Sequence, residues 1–389
     1  MSSSMLIEMF IVLLLILSSP FLSRLLRIPV IVVEIILGMA LGSSFLGILE
    51  EEAWLSTMAL MGFIYLMFVV GLETDVGLIK QRLSRVTAIA LGSFLTPLVL
   101  GYLVALNYGL PPEIIGVALS TTSMGVILPT VKEFPGRKEV AQVLLGAAIL
   151  VDVISMFALA YVIEKSFLSL DRLLLLLASV ALSVLAVRLL KIRSPARAAL
   201  ALLVGEHHLD VRLSIALIFG FAVLAEAVGI HAILGSFFAG LLISELEERV
   251  EGLLEKLLSF GYGFFIPIFF IAVGVRTDLG LILSNVRGIE ILISLLLVGF
   301  AGKILGTYIA SRLSGFTGYE SLSMGLAMSA RLSLIVAVAE LGLAAGLIDP
   351  GVYSTLVLLA IVSVLLSPSL AKLVMGKEVL KVPREALFP

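Results

Sequence analysis

The sequence predicts an all-α membrane protein with about thirteen transmembrane helices, and three observations support this fold class. The first is composition: of 389 residues, 60% are hydrophobic and 14% are charged, with a mean hydropathy of +1.20. Soluble domains are about half apolar and a quarter charged, so a soluble core could not bury this much apolar surface. The second and third observations are a regular series of long apolar segments and an alternation of basic residues between successive loops.

Apolar segments of roughly twenty residues, bounded by charges, prolines or glycines, recur along the whole chain, and a helix of that length spans a bilayer. The chain contains no cysteine and only three histidines, so disulfides, thiol catalysis and Cys- or His-based metal centres are not expected. We predict thirteen spans, at 5–23, 29–49, 55–72, 86–107, 113–132, 139–164, 168–190, 211–229, 231–245, 256–275, 288–312, 320–346 and 352–374.

Basic residues accumulate in every second loop between these spans. Twenty of the 26 lysines and arginines fall in one set of loops and four in the other, and cytoplasmic loops carry such an excess. The sequence therefore predicts a multi-pass protein of the plasma membrane bilayer, with an external N-terminus and a cytoplasmic C-terminus.

The two halves of the chain resemble each other. Val70–Ile79 recurs as Val273–Ile282 with seven of ten positions identical, and Gly116–Ser120 is echoed by Gly325–Ser329. A single linking helix between the halves inverts the second relative to the first, an architecture with which secondary transporters build a site at the membrane midplane. The single transmembrane domain accordingly divides into a first six-helix repeat at 1–164, a linking helix at 168–190, a second inverted six-helix repeat at 211–375 and a short cytoplasmic tail at 376–389.

Few ionisable residues lie at membrane depth, where a charge is costly and is by default a functional candidate. Asp152 stands alone in an apolar segment near the middle of its span. A carboxylate there can hold a proton or a small cation but not both, and that competition is sufficient for exchange. Asp152 is therefore the predicted cation- and proton-binding residue. The alternative is a structural carboxylate that only bonds neighbouring backbone or hydroxyl groups.

Four hydroxyl residues occupy the middle of the span at 113–132. They are followed by a glycine and a proline, a composition that favours a broken helix whose freed carbonyls and hydroxyls face a polar cavity. Oxygen ligands suit hard cations such as Na⁺ or K⁺, and by repeat symmetry a second break is expected near Ser329–Ser333. The predicted cation ligands beside Asp152 are Ser120, Thr121, Thr122 and Ser123.

Three further charges inside predicted spans are considered for roles at this site, namely Lys303, Arg331 and Glu34. Lys303 lies in a glycine-rich segment that permits close helix approach, and Asp152 is its expected partner. Lys303 could act as a switch that is released when a cation binds to Asp152. Alternatively, Lys303 is a permanent structural counter-charge. Arg331 cannot lose its proton and is predicted to neutralise carbonyl ends of the broken helices or to pair with Glu34, itself mainly a structural partner.

Four segments together resemble the monovalent cation/proton antiporter-2 family, which includes sodium/proton exchangers and the membrane part of Kef-type potassium/proton systems. They are Pro29–Gly38, the hydroxyl-rich break ending in Leu128–Glu133, the helix around Asp152, and Gly235–Gly240. The resemblance covers essentially the whole chain. It implies the sodium/proton antiporter fold with crossed broken helices, a homodimer with a dimerisation domain and a mobile core domain, Asp152 as the ion-carrying carboxylate and Lys303 as its basic partner.

The chain departs from this family pattern at two places. Electrogenic members carry two adjacent acids where this chain has Val151 and Asp152, so the resemblance implies one-for-one, electroneutral exchange. Many members have Gly-Glu after the arginine where this chain has Leu332 and Ser333, so the usual role of that glutamate is absent or supplied elsewhere.

The predicted function is antiport of a monovalent cation, Na⁺ preferred, against H⁺, which serves pH homeostasis. We expect a transporter rather than an enzyme, with no cofactor apart from the transported Na⁺ (or K⁺) and H⁺, no nucleic-acid partner and no nucleotide-binding domain. Kef-type K⁺/H⁺ exchange is the alternative. A sodium-coupled organic-anion symporter of similar architecture, an ion channel and an intramembrane aspartyl protease are more remote.

Overall fold

The computed structural model describes residues 3–42, 44–73, 82–132, 138–163, 209–227, 231–247 and 252–379, and in these ranges every regular element is a helix. A π-helical turn, Gly261–Phe265, directly precedes the helix Ile266–Arg276. The helices are α1 (Ser3–Leu26), α2 (Val30–Leu41), α3 (Ala53–Leu72), α4 (Leu83–Tyr108), α5 (Pro112–Ser120), α6 (Met124–Lys132), α7 (Lys138–Ile163), α8 (Leu209–Ala227), α9 (Ala232–Glu247), α10 (Leu253–Phe260), α11 (Ile266–Arg276), α12 (Leu279–Leu283), α13 (Val286–Leu313), α14 (Gly318–Met328), α15 (Ser333–Ala344) and α16 (Pro350–Val379).

Most of the predicted spans correspond to observed helices. Within the described ranges, nine helical segments are long and apolar enough to cross a bilayer, and two shorter apolar helices lie in α2 and α9. Helix α8 is long enough but carries three charged residues, Asp210, Arg212 and Glu226. The predicted linking helix at 168–190 lies outside the described residues, as does the tail from 380 onward, so the count of thirteen and the inverted repeats stay predictions.

The helix predicted at 29–49 is shorter than expected, and this prediction was wrong in its second half. Helix α2 ends at Leu41, and Gly42 continues in an extended conformation with φ −73° and ψ −175°. The chain then turns back, so that the Leu49 amide donates to the Leu41 carbonyl at 2.8 Å. Gly47 has φ +59°, which glycine adopts without strain and which a helix does not contain. The apolar residues of this loop had suggested a continuous span.

The described helices form two compact units, and each unit combines segments from both halves of the sequence. The first unit contains the described residues of 1–74 and 164–275, which form α1 to α3 and α8 to α11. The second contains those of 75–163 and 276–389, which form α4 to α7 and α12 to α16.

In the first unit, helices α1, α3 and α11 share an apolar core that includes Leu15, Leu55 and Ile271. Helices α2 and α11 approach closely where Gly38 faces Gly274. A Cβ atom at Gly38 would lie 2.1 Å from the Ile271 carbonyl oxygen, so only a hydrogen atom fits there.

In the second unit, α4 and α13 are held together by small residues. A Cβ atom at Gly306 would lie 2.0 Å from the Gly92 carbonyl oxygen, and one at Gly302 would lie 2.7 Å from the Cα of Pro97. The glycines of α13 thus permit the close helix approach expected from the sequence. Lys303 lies between these two contacts in the chain and is fully buried.

Candidate functional site

The first interrupted helix of the second unit breaks at the predicted hydroxyl cluster. Helix α5 ends at Ser120, Thr121 is extended with φ −60° and ψ 162°, and α6 begins at Met124. The Ser120 hydroxyl donates to the Gly116 carbonyl at 2.6 Å, and the Thr121 hydroxyl donates to the Ala118 carbonyl at 2.8 Å. Side chains that bond their own backbone in this way weaken helix continuation, which helps to explain why the helix stops here.

The second interrupted helix lies in the same unit. Helix α14 ends at Met328, the chain leaves helical geometry at Leu332 with φ −143° and ψ −80°, and α15 begins at Ser333. The Ser329 hydroxyl donates to the Gly325 carbonyl at 2.9 Å. The repeated Gly-x-x-x-Ser motif therefore makes the same hydrogen bond in both interrupted helices, and the second break lies where the sequence predicts it.

Lys303 on α13 is bonded to the first break. Its Nζ atom donates to the Ser120 carbonyl and to Thr122 Oγ1, each at 2.6 Å, and to Ser93 Oγ at 3.1 Å. An ammonium group has three donors, so these three oxygens use all of them. The sequence predicts Asp152 as the partner of Lys303, but these hydrogen bonds of the ammonium go to neutral oxygens.

Arg331 stands between the two interrupted helices and bonds carbonyls of both. Its Nε donates to the Leu119 carbonyl at 2.9 Å, its Nη1 to the Ser329 carbonyl at 3.1 Å, and its Nη2 to the Gly299 carbonyl at 2.6 Å. Helix C-termini carry unpaired carbonyls and a partial negative charge, so a buried guanidinium stabilises two such ends at once. The Ser363 hydroxyl accepts the Arg331 backbone N–H at 3.0 Å.

Asp152 lies on α7 and is 5% exposed. Helix α7 packs against both halves of the first interrupted helix and both halves of the second. The carboxylate thus belongs to the helix that adjoins both breaks. The second unit thereby brings together seven of the predicted site residues, namely Ser120, Thr121, Thr122, Ser123, Asp152, Lys303 and Arg331.

Glu34, the eighth predicted residue, belongs to the first unit. It is buried on α2 and accepts a hydrogen bond from the Ser19 hydroxyl at 3.2 Å.

Two residues of the site were missed in the sequence. Ser93 contacts Lys303 from α4, and Ser363 holds the backbone of Arg331 from α16. Each is a fully buried hydroxyl in an otherwise apolar span, and that position at membrane depth is the signal that would have singled them out.

Two interrupted helices in a bundle of apolar helices, with buried charges at their breaks, define a membrane transport protein. The family model described as "Sodium/hydrogen exchanger, transmembrane" matches residues 10–375, so the chain belongs to the sodium/hydrogen exchanger family. This membership confirms the family resemblance and, with the apolar helices, a multi-pass membrane protein.

Known proteins of similar sequence carry related names. The chain is 28% identical over 359 residues to the "Na(+)/H(+) antiporter" of Enterococcus hirae, covering 90% of this chain and 92% of that protein. It is 31% identical over 370 residues to the "Probable Na(+)/H(+) antiporter 3" of Methanocaldococcus jannaschii, covering 93% and 95% of the two chains. These names do not favour the Kef-type alternative.

A solved structure shows the same fold. The sodium proton antiporter MjNhaP1 from Methanocaldococcus jannaschii superposes with a TM-score of 0.66 over 96% of this chain and 99% of its own, at 16% sequence identity. At this identity the likeness shows the helical antiporter fold alone.

Proposed function

We propose that this chain exchanges a monovalent cation, Na⁺ in preference to K⁺, for a proton, and that both ions compete for Asp152. The observation that supports this most is the position of Lys303. Its ammonium group donates hydrogen bonds to the Ser120 carbonyl and the Thr122 hydroxyl, two of the oxygens expected to ligate a cation. A positively charged group of the protein is therefore bound where the cargo would bind.

The competition can be followed step by step. A cation that enters the site takes the Asp152 carboxylate, the Thr122 hydroxyl and the Ser120 carbonyl as ligands. Lys303 then has to leave the last two oxygens, because two positive charges repel each other strongly in a buried site. When a proton neutralises Asp152, the cation loses its counter-charge and leaves, and Lys303 returns to the break.

The other hydroxyl residues of the break have supporting roles in this proposal. The Thr121 hydroxyl donates its hydrogen to the Ala118 carbonyl and keeps its lone pairs for a cation. Ser123, also buried, offers a further oxygen, although its carbonyl already accepts the amides of Val126 and Ile127. Selection of Na⁺ over K⁺ would come from how tightly these short side chains can close around the ion.

The stoichiometry follows from the number of titrating groups. Asp152 is a single carboxylate, and Lys303 donates to three neutral acceptors when it is bound at the break. If Lys303 keeps its proton throughout, one cation exchanges for one proton, and transport is electroneutral.

We further assign the second unit as the transporting part of the molecule, because it contains Asp152, both interrupted helices, Lys303 and Arg331. The first unit would then be the part through which two chains associate as a homodimer. Alternating access would expose the site to each side of the plasma membrane in turn, with the N-terminus outside and the C-terminus in the cytoplasm.

The experiment that tests this proposal is cation-driven dissipation of an imposed ΔpH in proteoliposomes. Na⁺, K⁺ and Li⁺ are added in turn, with the membrane potential either clamped or imposed. Asp152→Asn should abolish the Na⁺ response. Asp349→Asn is the matched control, because Asp349 only caps α16, where it accepts the amides of Gly351 and Val352. This control should exchange like the wild type.

Each part of the proposal has its own contrary result. A cation response that survives in Asp152→Asn would reject that residue as the shared site. A rate that follows the imposed potential would reject electroneutral exchange, and a response to K⁺ alone would reject the preference for Na⁺.

A further inference from the structure

A cavity in the first unit is lined by residues of that unit and has no part in the proposed transport. Its volume is about 380 Å³, and it is formed by α1, the N-terminal half of α2, and the π-helical turn with the start of α11. This volume lies in the usual range of small-molecule sites. Its apolar walls include Ile16, Val30 and Pro267.

The inner end of this cavity carries a buried carboxylate. Glu34 lines the cavity and is 3% exposed. The Ser19 hydroxyl donates to Glu34 Oε1 at 3.2 Å but shares its hydrogen with the Ile16 carbonyl at 3.1 Å. No lysine or arginine in the described part of the chain forms an ion pair with Glu34. A buried carboxylate with one shared hydrogen bond is well suited to a cationic donor that enters the cavity.

The outer end of the cavity carries the opposite charge. Arg24 lines it and is exposed, and Tyr262 on the opposite wall is 40% exposed. Helix α2 also begins here, with Val30 and Ile31 lining the cavity. The first backbone N–H groups of a helix have no intrahelical partner, and together with the helix dipole they favour an anion. The cavity therefore has the guanidinium of Arg24 and the N-terminus of α2 at its outer end, and the carboxylate of Glu34 at its inner end.

The spacing of these charges is set by α2. Glu34 follows Val30 by four residues, so both lie on the same face of the helix, and one turn separates them by about 6 Å of helix rise. A ligand that satisfies both ends carries an anionic group and, a few ångströms away, a cation with N–H donors. Its remaining apolar part can lie against the apolar walls.

We propose that this cavity binds a phosphoethanolamine group, with the phosphate at Arg24 and the N-terminus of α2 and the primary ammonium at Glu34. The same group occurs as a lipid headgroup and as a free soluble phosphate ester. Arg24 lies in the last turn of α1, at the end of the helix that the basic residues predict to be cytoplasmic, and lipid headgroups lie at this depth. This inference does not depend on ion competition at Asp152.

The test measures lipid retention by native mass spectrometry of the purified full-length protein. Phosphatidylethanolamine, its N-methylated derivatives up to phosphatidylcholine, and phosphatidylglycerol, all with the same acyl chains, are offered in equal amounts. Retention should fall roughly tenfold from the primary amine to the trimethylated headgroup, because the N–H donors to Glu34 are lost. Phosphatidylglycerol, which has no cation, should be retained no better than phosphatidylcholine.

Two variants and two matched controls locate the site. Glu34→Gln should abolish the preference for the primary amine, and Arg24→Gln should weaken retention of all three headgroup classes. Glu8→Gln on α1 and Arg27→Gln beyond the helix end make the same chemical changes outside the cavity and should leave the preference intact. Soluble O-phosphoethanolamine is added as a competitor. If the soluble ester displaces the lipid, the free ester is a ligand of the cavity. If the lipid is not displaced, the ligand is the headgroup of a membrane lipid.

The proposal is wrong if the wild-type protein retains all headgroups equally. This outcome is measured on the wild type alone and does not depend on whether a variant folds. It is equally wrong if Glu34→Gln keeps the full preference for the primary amine.

Discussion

The substitution Ser93→Ala tests whether Lys303 competes with the transported cation or has only a structural role. Ser93 contributes one of the three acceptors of the Lys303 ammonium and was not among the predicted cation ligands. If Lys303 must leave the break before a cation binds, weakening its attachment should make cation binding easier. We therefore expect the variant to bind Na⁺ more tightly than the wild type, although it loses a buried hydrogen bond.

The magnitude follows from the three distances. The bonds of Lys303 to the Ser120 carbonyl and to Thr122 are 2.6 Å long, whereas the bond to Ser93 is 3.1 Å long and is the weakest of the three. Hydrogen bonds to charged groups contribute about 1.5–3 kcal/mol, so the lower end of this range applies. If the state with Lys303 bound at the break loses about 1.4 kcal/mol of stability and the Na⁺-bound state loses none, the apparent KM for Na⁺ falls about tenfold.

The assay is the initial rate of ΔpH dissipation in proteoliposomes as a function of Na⁺ concentration. Ser323→Ala is the matched control, because Ser323 is also a fully buried serine of the second unit, and its hydroxyl donates to the Ala371 carbonyl at 2.9 Å and not to an atom of Lys303. Its KM should equal that of the wild type. A KM for Ser93→Ala that is unchanged or higher would refute the competition between Lys303 and the cation.

Three further predictions concern stability, measured by thermal unfolding in detergent. Gly306→Ala places a Cβ atom 2.0 Å from a carbonyl oxygen of α4 and should cost about 1–3 kcal/mol, whereas Gly220→Ala, with open space around it, should cost almost nothing. Arg331→Lys should cost at least about 2 kcal/mol, because one ammonium cannot reach all three carbonyls that the guanidinium bonds. The hydrogen bond from Lys256, at 2.7 Å, lowers the pKa of the Asp210 carboxyl, which precedes the span at 211–229. The pair therefore stabilises the fold above the unfolded pKa of about 3.9, and the wild type should lose its thermal advantage over Asp210→Asn as the pH falls through the lower folded pKa.

The helices could be predicted from the sequence because lipid imposes a simple rule on composition. Any segment of about twenty apolar residues has to satisfy its backbone internally, and a helix does this within the segment itself. The rule fails where apolar residues form a loop. After Leu41 the chain remains apolar, but Gly42 and Gly47 allow a turn that hydropathy alone does not reveal.

The breaks in the second unit could also be predicted, since their cause is local. The serine of each Gly-x-x-x-Ser motif and Thr121 donate to carbonyls three or four residues earlier, and this pattern is visible within a few residues of sequence. The partners of the buried charges are not local. Lys303 bonds Ser93 because small residues bring α4 against α13, and the two residues are 210 positions apart. Spacing in one sequence carries no information about such a contact.

The hydrogen bonds of Lys303 have a consequence for how the protein survives between transport events. A binding site made of carbonyl and hydroxyl oxygens would usually collapse or fill with water once its ion departs. In this structure the ammonium group of Lys303 donates to two oxygens of the break, and under the proposed mechanism it would replace the departed ion there. If the proposed competition holds, the interruption between α5 and α6 keeps its hydrogen bonds after the ion departs, because the ammonium group takes the place of the ion.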